Sequence, residues 1–145
     1  MAQPVISVDV MGGDHGSDVI LSGIEKVLVQ RSDARFLLFG DEQIVRPALT
    51  RRPRVESAST LTHCDMSIAM DAKPSVALRQ GRKVSSMWQA IAAVKSGAAQ
   101  ACISAGNTGA LMAMSKVVLR TLPGIERPAI VAVWPTIRGR SVVLD

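Results

Sequence analysis

A chain of 145 residues, 48% hydrophobic and 20% charged, is long enough to bury one core, and this balance excludes intrinsic disorder. Its net charge of +5 favours an anionic ligand, partner or surface. The only aromatic residues, Phe36, Phe39, Trp88 and Trp134, lie outside the basic clusters at 46–54 and 73–83, so nucleic acid is not the expected partner. No apolar run approaches the roughly 18 to 20 residues of a membrane span, and Met1-Ala2-Gln3-Pro4 does not open a signal peptide, so a cytoplasmic location is expected.

In chain order, Val5 to Val10 is a β-rich apolar run that ends in Met11-Gly12-Gly13-Asp14-His15-Gly16. Three glycines in five positions mark a loop that turns sharply or lets a ligand approach. Ser17 or Asp18 can cap the next helix, on which Val19, Ile20, Ile24, Val27 and Leu28 share one face. Arg35 to Phe39 is a second strand, completing a βαβ unit. Asp41 caps a helix carrying Ile44, Val45 and Leu49, which ends before Pro53. Arg54 to Ser59 reads as a weak third strand, and Thr60 to Lys73 shows little periodicity. Pro74 starts a helix that runs to Gly81.

Ser85 and Ser86 cap a helix whose Met87, Trp88, Ile91 and Val94 share a core-facing side, and Gly97 ends it. Ala101 to Ala105 has the length and composition of a buried strand. It breaks at Gly106, offers Asn107 and Thr108 as caps, and continues at helical spacing through Leu111, Met114 and Val118 until Leu122-Pro123-Gly124. Ala129 to Trp134 and Ser141 to Leu144 are further strands around a turn at Ile137 to Arg140. Alternating strands and helices with near-continuous aliphatic strands imply a three-layer α/β/α domain built on a mainly parallel sheet.

Ligands of such sheets bind beyond the carboxyl ends of the strands, where both glycine loops fall. A strand that turns into a helix over Gly106-Asn107-Thr108-Gly109 leaves unpaired N–H donors at the positive end of the helix dipole, an arrangement suited to phosphate. The alternative is a tight turn whose cap is satisfied by Asn107 or Thr108 alone. Neither a Walker-type phosphate loop nor a dinucleotide fingerprint is present in the sequence. Basic residues gather at Arg46, Arg51, Arg52 and Arg54 and again at Lys73, Arg79, Arg82 and Lys83. Cys102 reads as a core residue. Cys64 follows His63, but neighbours in sequence rarely face each other as a nucleophilic pair, and no metal or other cofactor is expected.

Four segments together resemble the phosphate acyltransferase (PlsX) family of bacterial phospholipid synthesis. They are Asp9-Val10-Met11-Gly12-Gly13-Asp14, Ser85-Ser86-Met87, Ser104-Ala105-Gly106-Asn107-Thr108-Gly109-Ala110 and Gly124-Ile125-Glu126-Arg127-Pro128-Ala129. The resemblance implies a fold related to phosphotransacetylases and isocitrate-type dehydrogenases. It implies transfer of a fatty acyl group from acyl carrier protein to inorganic phosphate, giving an acyl phosphate. A homodimer loosely attached to the inner face of the cell membrane, with a glycerol-3-phosphate acyltransferase as a further partner, belongs to the same expectation. Family chains are longer and run on past the match to Val143-Leu144-Asp145, so residues 1–145 are expected to be the N-terminal part of such a domain.

On this reading Gly106, Asn107 and Thr108 hold phosphate or the developing oxyanion, with Ser104 and Gly109 beside them, and Gly12 and Gly13 permit close approach. Asp9 and Asp14 orient neighbours or serve as turn residues. Lys73, Arg82 and Lys83 meet phosphate or the acidic carrier, or simply face solvent. Ser85 and Ser86 are helix caps before they are ligand contacts, and Asp145 closes the set. Asn107, Thr108 and Asp9 are the expected catalytic residues, while His15, which the family does not require, receives no role. The alternatives are a phosphotransacetylase-like enzyme using a coenzyme A ester, and a half-domain that binds phosphate or a partner without turnover.

Overall fold

Residues 3–144 are described by a computed structural model. The elements run β1 (Val5–Asp9), α1 (Gly16–Gln30), β2 (Arg35–Gly40), α2 (Glu42–Thr50), α3 (Pro53–Ser57), β3 (Ser59–His63), α4 (Pro74–Gly81), α5 (Ser86–Lys95), β4 (Ala101–Ser104), α6 (Thr108–Leu119), β5 (Val131–Thr136) and β6 (Gly139–Leu144). The first four strands form a parallel sheet in the order β3-β2-β1-β4. In its register Asp9 lies opposite Phe39 on one side and Ser104 on the other.

Alternation along the strands divides the core. Val8, Val10, Phe36 and Leu38 pack with Leu21, Ile24 and Leu28 of α1 and with Val45, Leu49 and Val55 of α2 and α3. The opposite face, with Phe39 and Leu37, meets Ala90 and Ala93 of α5. Small residues on α5 let its backbone approach so closely that the buried Ser7 hydroxyl donates to the Ala90 carbonyl at 2.7 Å. Outside this layer α4, α5 and α6 share a cluster built on Ala77, Trp88, Ile91 and Met114. The three-layer α/β/α architecture follows.

Three local expectations need correction. The stretch Arg54 to Ser59 is mainly the one-turn helix α3, because Pro53 sits at its first position, where a missing N–H costs nothing. The third strand is instead β3, in the stretch that lacks periodicity: as an edge strand it buries no complete apolar face. Finally, α1 begins at Gly16 with His15 as its N-cap residue and no side-chain cap, so Ser17 and Asp18 lie inside the first turn.

The last two strands form as expected but pair antiparallel with each other, Val133 opposite Val142, outside the parallel sheet. A connection as short as Ile137–Arg138 permits no parallel return. Both faces of this hairpin are exposed. Among the described residues, no helix is long and apolar enough to cross a membrane.

Candidate functional site

Because β1 and β4 are neighbours, the loops that leave their carboxyl ends run side by side. They touch at glycine. A Cβ placed on Gly12 would stand 2.7 Å from the Gly106 nitrogen, and one on Gly13 would stand 3.3 Å from the Ala105 Cβ. Gly13 also holds φ +97°, a conformation that side chains rarely adopt.

A buried polar relay fastens the two loops beneath this contact. Asp9 is 2% exposed. One of its carboxylate oxygens accepts from the Met11 N–H at 3.2 Å, and the other accepts from the Ser104 hydroxyl at 2.7 Å. Ser104 Oγ in turn accepts from the Gly106 N–H at 3.1 Å. The relay therefore runs from the first loop to the second through two side chains. Asp9→Ala and Ser104→Ala are each expected to destabilise by about 1 to 3 kcal/mol, and the double variant by less than the sum. Urea unfolding of all four proteins checks this; effects additive to within about 0.5 kcal/mol would mean that the pair is uncoupled.

Above the relay, a cavity of about 190 Å³ opens between Gly12, Gly13, Asp14, His15, Val19 and Ala105. It lies at the N-terminus of α1, where the first-turn N–H groups lack intrahelical partners and no side chain caps them. Spacing alone hides this feature, since Ser17 and Asp18 look like caps. The signal in the sequence is Gly16, which takes φ +72° and starts the helix earlier.

The start of α6 follows the alternative reading, a tight turn capped by Asn107. Asn107 Oδ1 accepts from the Ala110 N–H at 2.9 Å, while Nδ2 donates to the Met70 and Ala72 carbonyls at 2.8 and 2.9 Å. Both ends of the amide are committed, so Asn107 caps α6 and clamps the 69–72 loop instead of aiming a donor at the cleft. Gly106 N–H is likewise spent on Ser104. Thr108 is exposed at the first position of α6, and Gly109 is kept small by Pro74, whose Cγ would meet an added Cβ at 2.8 Å.

Ser85 caps α5 by accepting from the Trp88 N–H at 3.2 Å. The Ser86 hydroxyl is buried with no partner among the described residues, one helical turn from Ala90 on the side of α5 that faces β1. Lys73, Arg82 and Lys83 are exposed, and Arg82 lines a separate cavity between α4 and α6, away from the glycine loops. Lys83 holds φ +66°, and its carbonyl accepts from Gln89 Nε2 at 2.6 Å. Asp145 lies outside the described residues.

The Cys64–His63 alternative lacks the geometry. His63 engages Asp65 through Nε2 at 2.8 Å and accepts from the Glu42 N–H through Nδ1 at 3.0 Å. Its hydrogen bond to Asp65 raises its pKa. Cys64 is buried, and desolvation pushes its thiol up to about 11, leaving it protonated and unreactive at neutral pH.

Comparison with known proteins adds a second line. A family model described as "Fatty acid synthesis protein" matches residues 5–145. The chain is 60% identical to a phosphate acyltransferase of Azorhizobium caulinodans over 146 residues, covering 100% of this chain and 41% of that protein. It is 61% identical to a phosphate acyltransferase of Chelativorans sp. over 140 residues, covering 97% of this chain and 40% of that one. A relative of the same name from Mesorhizobium japonicum is 59% identical, with 97% and 39% covered. The chain thus spans about two fifths of the length of the curated relatives it matches.

Proposed function

The chain belongs to the fatty acid synthesis protein family, and from that premise we propose that it is the N-terminal part of an acyltransferase that moves a fatty acyl group from acyl carrier protein to inorganic phosphate. The observation that carries this reading is the cavity between the glycine loops and the uncapped start of α1. Unpaired N–H groups and the helix dipole are what a phosphate dianion needs, and Gly12 and Gly13 present backbone without side chains in the way. Asp14 shares the lining, but its exposure to solvent weakens its repulsion of an anion.

The reaction asks little acid–base help of the protein. A phosphate oxygen attacks the thioester carbonyl, an O–C bond forms, and the resulting oxyanion collapses with cleavage of the C–S bond. The carrier thiolate leaves without much acid assistance and takes up a proton from solvent. Orientation and donation to the oxyanion supply the acceleration, a single preorganised donor being worth about 3 to 4 kcal/mol. Asp9 and Ser104 act here as positioning residues that fix the loops, and Thr108 with the neighbouring backbone of α6 is the remaining donor set. Asn107 contributes by holding Thr108 and Gly109 in helical register. Homodimer formation, attachment to the inner membrane face and hand-over of acyl phosphate to a glycerol-3-phosphate acyltransferase complete the proposal.

Phosphorus NMR of the protein with acyl carrier protein thioester and phosphate tests it. An acyl phosphate resonance that requires both substrates is expected. A signal obtained with the coenzyme A ester and not with the carrier would favour the phosphotransacetylase-like reading, and binding of phosphate by calorimetry without any product would reduce the chain to a binding module.

A further inference from the structure

From Ala72 to Ile125 the sequence holds seven cations, Lys73, Arg79, Arg82, Lys83, Lys95, Lys116 and Arg120, and no carboxylate. The charge of the whole chain, +5, is thus concentrated in its α4–α6 half. Among the described residues, none of these seven has a carboxylate within ion-pair distance; the ion pairs present all belong to Asp18, Glu25, Asp33, Asp41, Glu42 and Asp65. A solvated surface would normally intersperse both signs.

The cations also frame apolar surface. On α6, Met112 and Leu119 share one side and are 38% and 44% exposed, while Val117, 45% exposed, stands about 140° further round the helix. On the Val117 side of α6, Arg79 and Arg82 line a cavity of about 340 Å³ with Leu78 and Val117. On the other, Lys116 and Arg127 line one of about 380 Å³ with Met112. Two concave sites with basic walls and apolar floors flank one helix. Side chains of a partner can enter such concavities, whereas a lipid surface is gripped by projecting Trp, Phe and Leu on a helix lying in the interface. The exposed side of α6 has no aromatic residue and, of the leucines, exposes only Leu119, while Met112, of a type that adapts to partners, stands beside it.

The geometry points to the α4–α6 face as the docking surface for an acidic protein, with Arg79 and Arg82 as its main electrostatic contacts. Resting on the reaction proposed above, that protein is the acyl carrier. Val117 lies nine residues beyond Thr108, about 14 Å along the axis of α6 at the helical rise, so a carrier seated there would deliver its thioester along α6 towards the glycine loops. The Pro74–Gly109 contact, at the head of α4 and α6, marks where such an arm would arrive.

Fluorescence anisotropy with labelled holo-acyl carrier protein tests the assignment, with circular dichroism melts to verify folding. Binding that weakens with added salt is expected for the wild-type chain. The Arg79→Glu/Arg82→Glu double variant should bind at least about tenfold more weakly, while Lys95→Glu, at the end of α5, should stay within about twofold. Absence of wild-type binding, or unchanged affinity in the double variant, overturns the proposal. So does loss of binding to phosphatidylglycerol vesicles in place of the carrier, or of self-association. Carrier binding without acyl phosphate formation would refute the proposed reaction and leave the docking face standing; acyl phosphate formation by the double variant at the wild-type rate under limiting carrier would do the reverse.

Discussion

Gly12→Ala is expected to destabilise the protein by about 2 to 3 kcal/mol and lower its Tm by roughly 5 to 10 °C, although it adds a single methyl group. The new Cβ would lie 2.7 Å from the Gly106 nitrogen, 2.8 Å from Asp9 Oδ2 and 2.9 Å from Ser104 Oγ. None of these is the free end of a flexible side chain: one is backbone, and two belong to the relay that joins the loops. The methyl therefore acts as a wedge, and the phosphate affinity proposed for the cleft should fall with stability. Two other glycines calibrate the result. Gly106→Ala meets chiefly the Met87 methyl, at 2.9 Å, which can swing aside, so its cost should be smaller. Gly23 sits within α1 with nothing inside 4 Å, and Gly23→Ala should stabilise by about 0.5 to 1 kcal/mol. Thermal melts in the order Gly23→Ala, wild type, Gly106→Ala, Gly12→Ala check the ranking. A Gly12→Ala protein that melts with the wild type would mean that the two loops do not touch.

Local chemistry made much of this fold legible. Asp41 and Ser85 accept the backbone bonds of helix caps, and Pro74 stands at the first position of α4, because each depends only on residues within one turn. The aliphatic runs of β1 and β2 are readable for a similar reason: strands inside the sheet bury both faces and need no alternation. At the edges the signal weakens: β4 is legible as an apolar run but is not the buried strand expected, Ile103 being 56% exposed, and at β3 the signal fails. β3 carries Ser59, Thr60, Thr62 and His63, and only its parallel register with β2, Phe36 opposite Ser59, identifies it as a strand.

The candidate site was half legible. That both glycine loops share the carboxyl edge of the sheet follows from alternating strands and helices. That they meet at Gly12 and Gly106 depends on β4 adding beside β1, a tertiary fact with no local signature. Asn107 shows the same limit from the other side. Its cap on Ala110 lies three residues away, but the carbonyls that occupy its amide belong to a loop 35 and 37 residues upstream. A side chain that looks like a free donor in sequence is consumed by packing.

That consumption predicts the second large effect. Asn107→Ala removes a cap and two well-placed donors, for an expected loss of about 2 to 3 kcal/mol. Asn107→Asp is nearly isosteric and keeps the cap, yet it should be worse at pH 7. Its carboxylate would face the Met70 and Ala72 carbonyl oxygens across 2.8 and 2.9 Å with no proton to share, and an added loss of about 1 to 2 kcal/mol is expected. The sign of the pH dependence separates this from a general packing defect. Repulsion in the folded state raises the carboxyl pKa above its unfolded value near 3.9, so the penalty is absent below that value and grows as pH rises through the folded one. The gap between wild type and Asn107→Asp in urea unfolding should therefore narrow from pH 7 to about pH 4, while the gap for Asn107→Ala stays level. Because the 69–72 loop leads directly into Lys73 and α4, releasing it would also unfix the basic face from the glycine loops, coupling the loss of stability to loss of the proposed carrier binding.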